Sequence, residues 1–201
     1  VKYRQIDGFI YEVRYPMVES DCDFLVVATT RPETMLGDTA VAVNPNDSRF
    51  RKFIGKSVLL PFVNRQIPVI ADESVDCDFG TGALKVTPGH ALEDFEIGAR
   101  HGLDSPNVIN TKGEMNENAG EFEGLTTEDC RRKILEELTK KSLLVETKSH
   151  VHSVGHCDRC DSVIEPMVTQ QWYVSMDKLA QPGLLAVKNG DIKIIPERFT
   201  N

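Results

Sequence analysis

The chain has 201 residues, of which 40% are hydrophobic, and its 23 basic against 31 acidic side chains leave a net charge of −8. That is apolar material enough for a core of one domain, or of one domain with an appendage. The acidic balance argues against a surface that tracks DNA or an anionic membrane without specificity. No apolar run nears the roughly 18 residues of a membrane span; Phe24–Ala28 is typical. Five cysteines with one close pair, Cys157 and Cys160, make no disulfide framework and point to a reducing, cytoplasmic compartment. No signal-peptide pattern opens the chain, and its start on Val1 and end on Asn201 lead us to expect a piece of a longer protein.

The first half reads as β-rich. Residues 9–15 alternate as a strand closed by Pro16, and 23–30 form a short apolar run ending in Thr29 and Thr30 before Arg31-Pro32 stops it. A strand over 39–43 ends in the turn signal Asn44-Pro45-Asn46-Asp47. Residues 57–63 and 66–70 read as a hairpin around Asn64-Arg65, with Pro61 placing the first arm at an edge or bulge. A further strand is expected at 83–87. Helices follow over 91–101, stopped by Gly102, and over 127–141, capped by Thr127 and apolar at Cys130, Ile134, Leu135 and Leu138. Residues 113–124 read as a loop, and 144 onward as mixed. A small element is expected around the cysteine pair over 155–174, then a helix over 176–187 and a strand over 192–195. Strands followed by helices, without regular β-α-β alternation, predict a β-rich α+β fold: a mixed β-barrel-like core with helices packed on one side. The expected division is 1–150, holding that core, and 151–201 as a return segment.

Three stretches carry groups suited to chemistry. Thr29-Thr30-Arg31-Pro32-Glu33-Thr34, with Gly37-Asp38 after it, ends a strand in hydroxyls, a guanidinium and carboxylates. Such hydroxyls suit a small polar ligand, and Arg31 suits a phosphate or carboxylate; equally, threonine is a good strand residue and Arg-Pro a turn. In Phe79-Gly80-Thr81-Gly82-Ala83-Leu84-Lys85-Val86-Thr87-Pro88-Gly89-His90, glycines allow close backbone approach, and Lys85 and Thr87 share one strand face. The stretch is neither a dinucleotide fingerprint nor a phosphate loop, and a hairpin turn with a solvated lysine is the plainer alternative. His90 reads as a hydrogen-bonded structural residue. Glu93 and Asp94 suit a helix first turn through its dipole, or Asp94 fixes an ammonium group. Cys157 and Cys160 make half a zinc ribbon; His150, His152 and His156 leave a local four-ligand set open, whereas a redox pair lacks its βαβ setting.

Together these stretches resemble the editing domain of the valyl-tRNA synthetase family. The resemblance rests on Thr29 to Val43, on Gly80 to Pro88 with Asp94-Phe95-Glu96-Ile97-Gly98, and on Gly155 to Cys160 with Val163-Ile164-Glu165-Pro166 and Gln171-Trp172-Tyr173-Val174. It spans essentially the whole chain. Glu33 and Lys85 favour the valyl branch over its leucyl and isoleucyl relatives. The resemblance implies hydrolysis of threonine wrongly esterified to valine tRNA. A hydrophobic pocket cannot strongly reject an isostere that adds a hydroxyl, and valyl-tRNA synthetase facing threonine is itself the standard illustration of that limit. A second site that hydrogen-bonds the hydroxyl accepts threonine and strands its polar groups against valine.

By the same resemblance Lys85, Asp94 and Thr30 are the catalytic candidates, and Thr29, Arg31, Asp38, Phe79 and Thr87 bind substrate. Asp94 would hold the α-ammonium; Lys85, Thr29 and Thr87 would read the side chain and ester oxygens. Arg31 would meet the terminal adenosine or its phosphate, and Phe79 would pack on the substrate or base. Water would attack the ester carbonyl without an acyl-enzyme. No cofactor is implied for editing. ATP would serve only a catalytic domain outside this chain, and a structural zinc in the longer parent would take Cys157 and Cys160 as half its ligands. The implied partners are the 3′ end of tRNA(Val) bearing a mischarged amino acid and the rest of a parent synthetase, itself monomeric, with no membrane. The family has Asp where Ala91 stands, which takes one carboxylate out of the expected site. The rival readings are a catalytically weak module that binds the tRNA end, the corresponding isoleucyl or leucyl editing domain, and a zinc-ribbon structural module.

Overall fold

The computed structural model describes residues 1–20 and 23–199, so Cys22 lies outside the described residues. The alternation expected over 9–15 belongs to a longer strand, β1 (Lys2–Pro16), which buries Ile10, Val13 and Tyr15. β2 (Phe24–Thr29) pairs antiparallel along one edge of β1, burying Leu25, Val27 and Thr29 at period two. The second neighbour of β1 comes from the stretch after residue 143, which the sequence shows only as mixed.

The hairpin is present as β4 (Ser57–Leu60) and β5 (Arg65–Ala71), and between β2 and it lies β3 (Ala40–Val43). β6 (Ala83–Val86) completes a four-stranded sheet in the order β4-β5-β3-β6, with β3 parallel to β5 and antiparallel to β6. Pro61 follows directly on β4, the edge strand, where its missing N–H costs no ladder bond. β7 (Leu144–His156) runs antiparallel to β1, giving a three-stranded sheet in the order β2-β1-β7. Most of its side chains face solvent, so it carries no apolar period; β1 supplies its backbone partners instead.

The α+β class holds, but the barrel-like core takes the form of two sheets. An isolated bridge between Met17 and Val58 links them, and they do not close into a barrel. Val13, Tyr15, Leu25 and Val27 from one sheet share a core with Val41, Val43, Val58, Leu60, Ile67 and Val69 from the other. β3 is buried on both faces: Val41 and Val43 enter this core, while Ala40 and Ala42 join Val86 and Ile97 in a smaller one. That explains why Ala40–Val43 reads as an unbroken apolar run.

The helices serve different cores. α1 (Leu92–His101) sits over the smaller one; it buries Asp94, Ile97 and Gly98, leaves Leu92 and Phe95 exposed, and stops at Gly102, whose φ is +64°. α2 (Thr127–Lys140) buries Cys130, Ile134 and Leu138 in the larger core. Its cap is Thr126, one residue earlier than expected, whose hydroxyl accepts from the Asp129 N–H at 3.2 Å. Short 3₁₀ turns occupy Pro32–Gly37 and, within the expected loop, Glu117–Phe122.

The chain separates into two compact units, 1–168 and 169–201, so position 150, the boundary expected from the sequence, falls inside β7. In the second unit α3 (Asp177–Lys188) matches the expected helix, but residues 192–195 are irregular, since no other strand of that unit is there to pair with them.

Candidate functional site

β2, β6 and the start of α1 converge on a cleft of about 190 Å³, lined among others by Thr29, Thr30, Arg31, Phe79, Lys85, Thr87, Ala91 and Asp94. Seven of the eight site residues expected from the sequence line this cleft. The eighth, Asp38, does not. It is fully buried behind Lys85 and Thr87, and both of its oxygens are taken by the protein.

Lys85 projects from the face of β6 that pairs with Val41, so its stem packs on the larger core while its ammonium reaches the cleft. Its Nζ lies 2.5 Å from Thr87 Oγ1, 3.1 Å from Thr34 Oγ1 and 3.4 Å from Asp38 Oδ1. Thr87 Oγ1 donates to Asp38 Oδ1 at 2.5 Å, and Tyr15 donates to Asp38 Oδ2 at 2.7 Å. Burial pushes the Asp38 carboxyl up to about 6, against the pull of the Lys85 ammonium and the hydroxyls of Thr87 and Tyr15.

Asp94, in the first turn of α1, accepts the Thr87 N–H at 2.8 Å through Oδ2. Burial raises its pKa, offset in part by Lys85 and by the Thr87 N–H. A substrate ammonium at its other oxygen would stabilise the ionised form. Thr29 Oγ1 accepts the Arg31 N–H at 3.0 Å, leaving its own proton for the cleft. Arg31 is held within the protein: it donates to Glu33 at 3.3 Å, to the His90 carbonyl at 3.2 Å, and to Glu165. Glu33 is buried and receives a two-pronged grip from Arg131 of α2, with both bonds at 2.9 Å. Burial alone would raise its pKa, but Arg131 and Arg31 outweigh that and hold it below the usual glutamate value.

His90 is no base. Its Nε2 accepts the Val108 N–H at 2.8 Å and its Nδ1 faces the Pro166 carbonyl at 3.1 Å, an arrangement that assigns the proton to Nδ1 of a neutral ring. Burial pulls its pKa down to about 4. Phe79 is 54% exposed on the rim, edge-on to His150 with 6.0 Å between ring centroids. Gly80 and Gly82, read as points of close ligand approach, instead carry φ of +58° and +81°, and a Cβ on Gly82 would meet the Cys77 carbonyl at 2.9 Å. Their need is conformational.

The sequence did not single out Tyr15 or Arg131, and marked Glu165 only within Val163-Ile164-Glu165-Pro166, without a role. Each lies far along the chain from its partner, and a strand tyrosine or a helix arginine carries no local signal. Cys157 and Cys160 sit in a tight turn closed by Asp161 N–H to the Cys157 carbonyl, and the described residues gather no set of three or more His, Cys, Asp or Glu around a metal-sized gap. Two thiols alone do not make a structural zinc site.

Residues 49–139 match the family model described as leucyl-tRNA synthetase, editing domain. Along its whole length the chain is 54% identical to a valine–tRNA ligase of Dehalococcoides mccartyi, of which it covers 23%. It is 50% identical over 199 residues to that of Clostridium tetani, of which it covers 22%. The chain thus spans under a quarter of the length of these relatives. Among solved structures, GlLeuRS-CP1 superposes with a TM-score of 0.53 at 16% identity, covering 71% of this chain and 100% of that one. A leucyl-tRNA synthetase of Agrobacterium radiobacter K84, in a ternary complex with tRNA and LeuAMS, gives 0.55 at 19% identity, covering 88% of this chain and 28% of that one. These two speak for the fold alone.

By sequence, residues 49–139 match the editing domain of the aminoacyl-tRNA synthetases, and the fold agrees with that class. Along its whole length the chain is similar in sequence to the valyl-tRNA synthetase family, under a quarter of whose members' length it matches.

Proposed function

We propose that this chain hydrolyses threonine wrongly esterified to the 3′ end of tRNA(Val). The observation that carries the reading is one cleft with Lys85, Thr87 and Thr29 at its deep end and the partly free carboxylate of Asp94 beside them. Asp94 takes the α-ammonium of the esterified amino acid. Lys85 donates to the side-chain hydroxyl or the ester carbonyl, and Thr29 donates a second hydrogen bond. Water attacks the carbonyl as these preorganised donors stabilise the developing oxyanion. Thr30, at the mouth, orients that water. Phe79 stacks on the terminal base. Arg31, already neutralised by Glu33 and Glu165, acts by shaping the cleft and meets the terminal phosphate only by exchanging one of these partners.

The setting we propose is that of a longer valyl-tRNA synthetase. The partners are tRNA(Val) and the remainder of a longer synthetase, itself a monomer working in the cytoplasm. ATP belongs to that remainder, as does the rest of any zinc site completed by Cys157 and Cys160; editing itself uses no cofactor. No helix among the described residues is long and apolar enough to cross a membrane.

The test is deacylation of threonyl-tRNA(Val) by the full chain, with valyl-tRNA(Val) as control. Loss of threonine is expected at a rate well above that of valine. Lys85→Ala and Asp94→Ala should each slow it by roughly 10²–10³-fold, the scale of one lost electrostatic contact to the transition state. Tight binding of the tRNA end with no hydrolysis would instead make the chain a binding module.

A further inference from the structure

The hydrogen-bond directions behind the cleft are fixed by elimination. An ammonium only donates, and an ionised carboxylate only accepts. Thr87 Oγ1 lies 2.5 Å from both Lys85 Nζ and Asp38 Oδ1, so its single proton goes to Asp38 and its lone pair takes a proton of Lys85. Thr34 is committed in the same sense, donating to the Arg31 carbonyl at 3.0 Å and accepting from Lys85 at 3.1 Å. Both hydroxyls beside Lys85 therefore point their protons away from the cleft and offer it lone pairs. Everything depends on Asp38 staying ionised where it stands. Its side chain is held by the hydroxyl of Tyr15, a fully buried residue of β1. Its backbone is held by Arg65 of β5, which donates to the Leu36 and Asp38 carbonyls at 3.0 and 2.8 Å.

We propose that Tyr15 and Asp38 are positioning residues that set the cleft's discrimination, by keeping Thr87 as an acceptor and Lys85 as a donor toward the substrate side chain. This rests on the editing reading above. The threonyl hydroxyl can then accept the Lys85 proton that otherwise makes the long 3.4 Å contact to Asp38, and donate to the second lone pair of Thr87, in one geometry. Valine offers neither group, so the third Lys85 proton keeps only its long 3.4 Å contact to Asp38 and the second lone pair of Thr87 stays unmatched. Once Asp38 loses its charge or its orientation, Thr87 is free to turn its proton toward the cleft, and the donor–acceptor pair that fits threonine is lost. The contact to the α-ammonium is untouched, because Asp94 takes its hydrogen bond from the Thr87 backbone N–H, not from the hydroxyl.

The readout is the ratio of threonyl to valyl ester hydrolysis on tRNA(Val), followed from pH 5 to 8. Groups common to both esters, Asp94 among them, cancel in this ratio. The charged and titratable groups around Asp38 are Lys85 of β6, Asp94 of α1, Tyr15 of β1 and Arg65 of β5. With its carboxyl pushed up to about 6, protonation of Asp38 should make the wild-type ratio fall on the acid side, with a midpoint near that value. Tyr15→Phe removes a donor to the carboxylate, so the midpoint should move to higher pH, and the ratio at pH 7 should drop by about tenfold, the value of one hydrogen bond. Asp38→Asn should lower the ratio at every pH and abolish the acid limb.

A wild-type ratio that stays flat from pH 5 to 8 overturns the assignment, and this arm needs no variant to fold. So does a folded Tyr15→Phe or Asp38→Asn chain with the wild-type ratio and profile. A wild-type chain that hydrolyses neither ester counts against the editing reading itself, which keeps the two failures apart.

Discussion

His90 and Glu33 show how single buried groups tie the cleft to the fold. His90 is neutral, accepts one backbone N–H and is 1% exposed. Its pKa lies below the value near 6.5 of a free imidazole, so between about 6.5 and 4 the unfolded chain binds more protons than the folded one. Stability from this residue is therefore complete above pH 6.5 and is lost as the pH falls toward 4, by about 3 kcal/mol in all. Urea denaturation across that range should show the decline, and His90→Gln should flatten it. Glu33 sits between Arg131 and Arg31. Glu33→Ala leaves two guanidinium groups without their anion and should cost roughly 2–3 kcal/mol, below the figure for a fully buried pair because both arginines keep some solvent. The denaturation midpoint reports it. Asp72 acts in the opposite sense to a simple buried acid. Burial would raise its pKa, but Ser74, Arg100 and His101 hold it well below the usual range. Its contribution is present above pH 4 and fades as acid is added.

At the scale of elements, the departure at Ala91 has two consequences that can be separated. Ala91 is the N-cap of α1 and makes no side-chain cap bond. Ala91→Asp should therefore stabilise the chain by about 1 kcal/mol through capping alone. It also adds a carboxylate to the cleft wall. Threonyl ester hydrolysis that stays unchanged in this variant would show that Asp94 suffices for the ammonium; a rise would show that the substitution had weakened the site. β2, the β4–β5 hairpin and β6 were legible because apolar period and turn residues coincide in them. β7 was not, because Leu144–His156 has no apolar period and is ordered by the backbone of β1, 140 or so residues away in sequence. The Ile192–Ile195 stretch shows the converse, since apolar β-branched residues without a neighbouring strand do not make one.

For the whole molecule, a net charge of −8 fits a chain that meets nucleic acid at one cleft and not along a surface. The second unit, 169–201, leaves Trp172 and Tyr173 exposed. Cys157 and Cys160 would supply two of the four ligands that a structural zinc needs, and the described residues gather no others around them. Metal analysis of the chain purified with added zinc should accordingly find well under one equivalent; a full, tightly held equivalent would reveal a complete site.

The sequence by itself determined the α+β class, the run of strands before helices, and the three stretches that supply residues to the cleft. It did so because periodicity, turn chemistry and the order of polar side chains are local properties of a chain. What only the tertiary structure decided was direction and depth. Asp38, one motif away from Thr29, turned out to lie behind the wall instead of on it. Tyr15, Arg65 and Arg131 joined the site from three other elements. The proton on Thr87 acquired a direction only when an ammonium and a carboxylate, 47 residues apart, were brought to the same hydroxyl. Hydrogen-bond polarity is a property of the assembled network, and no residue in it carries that information alone.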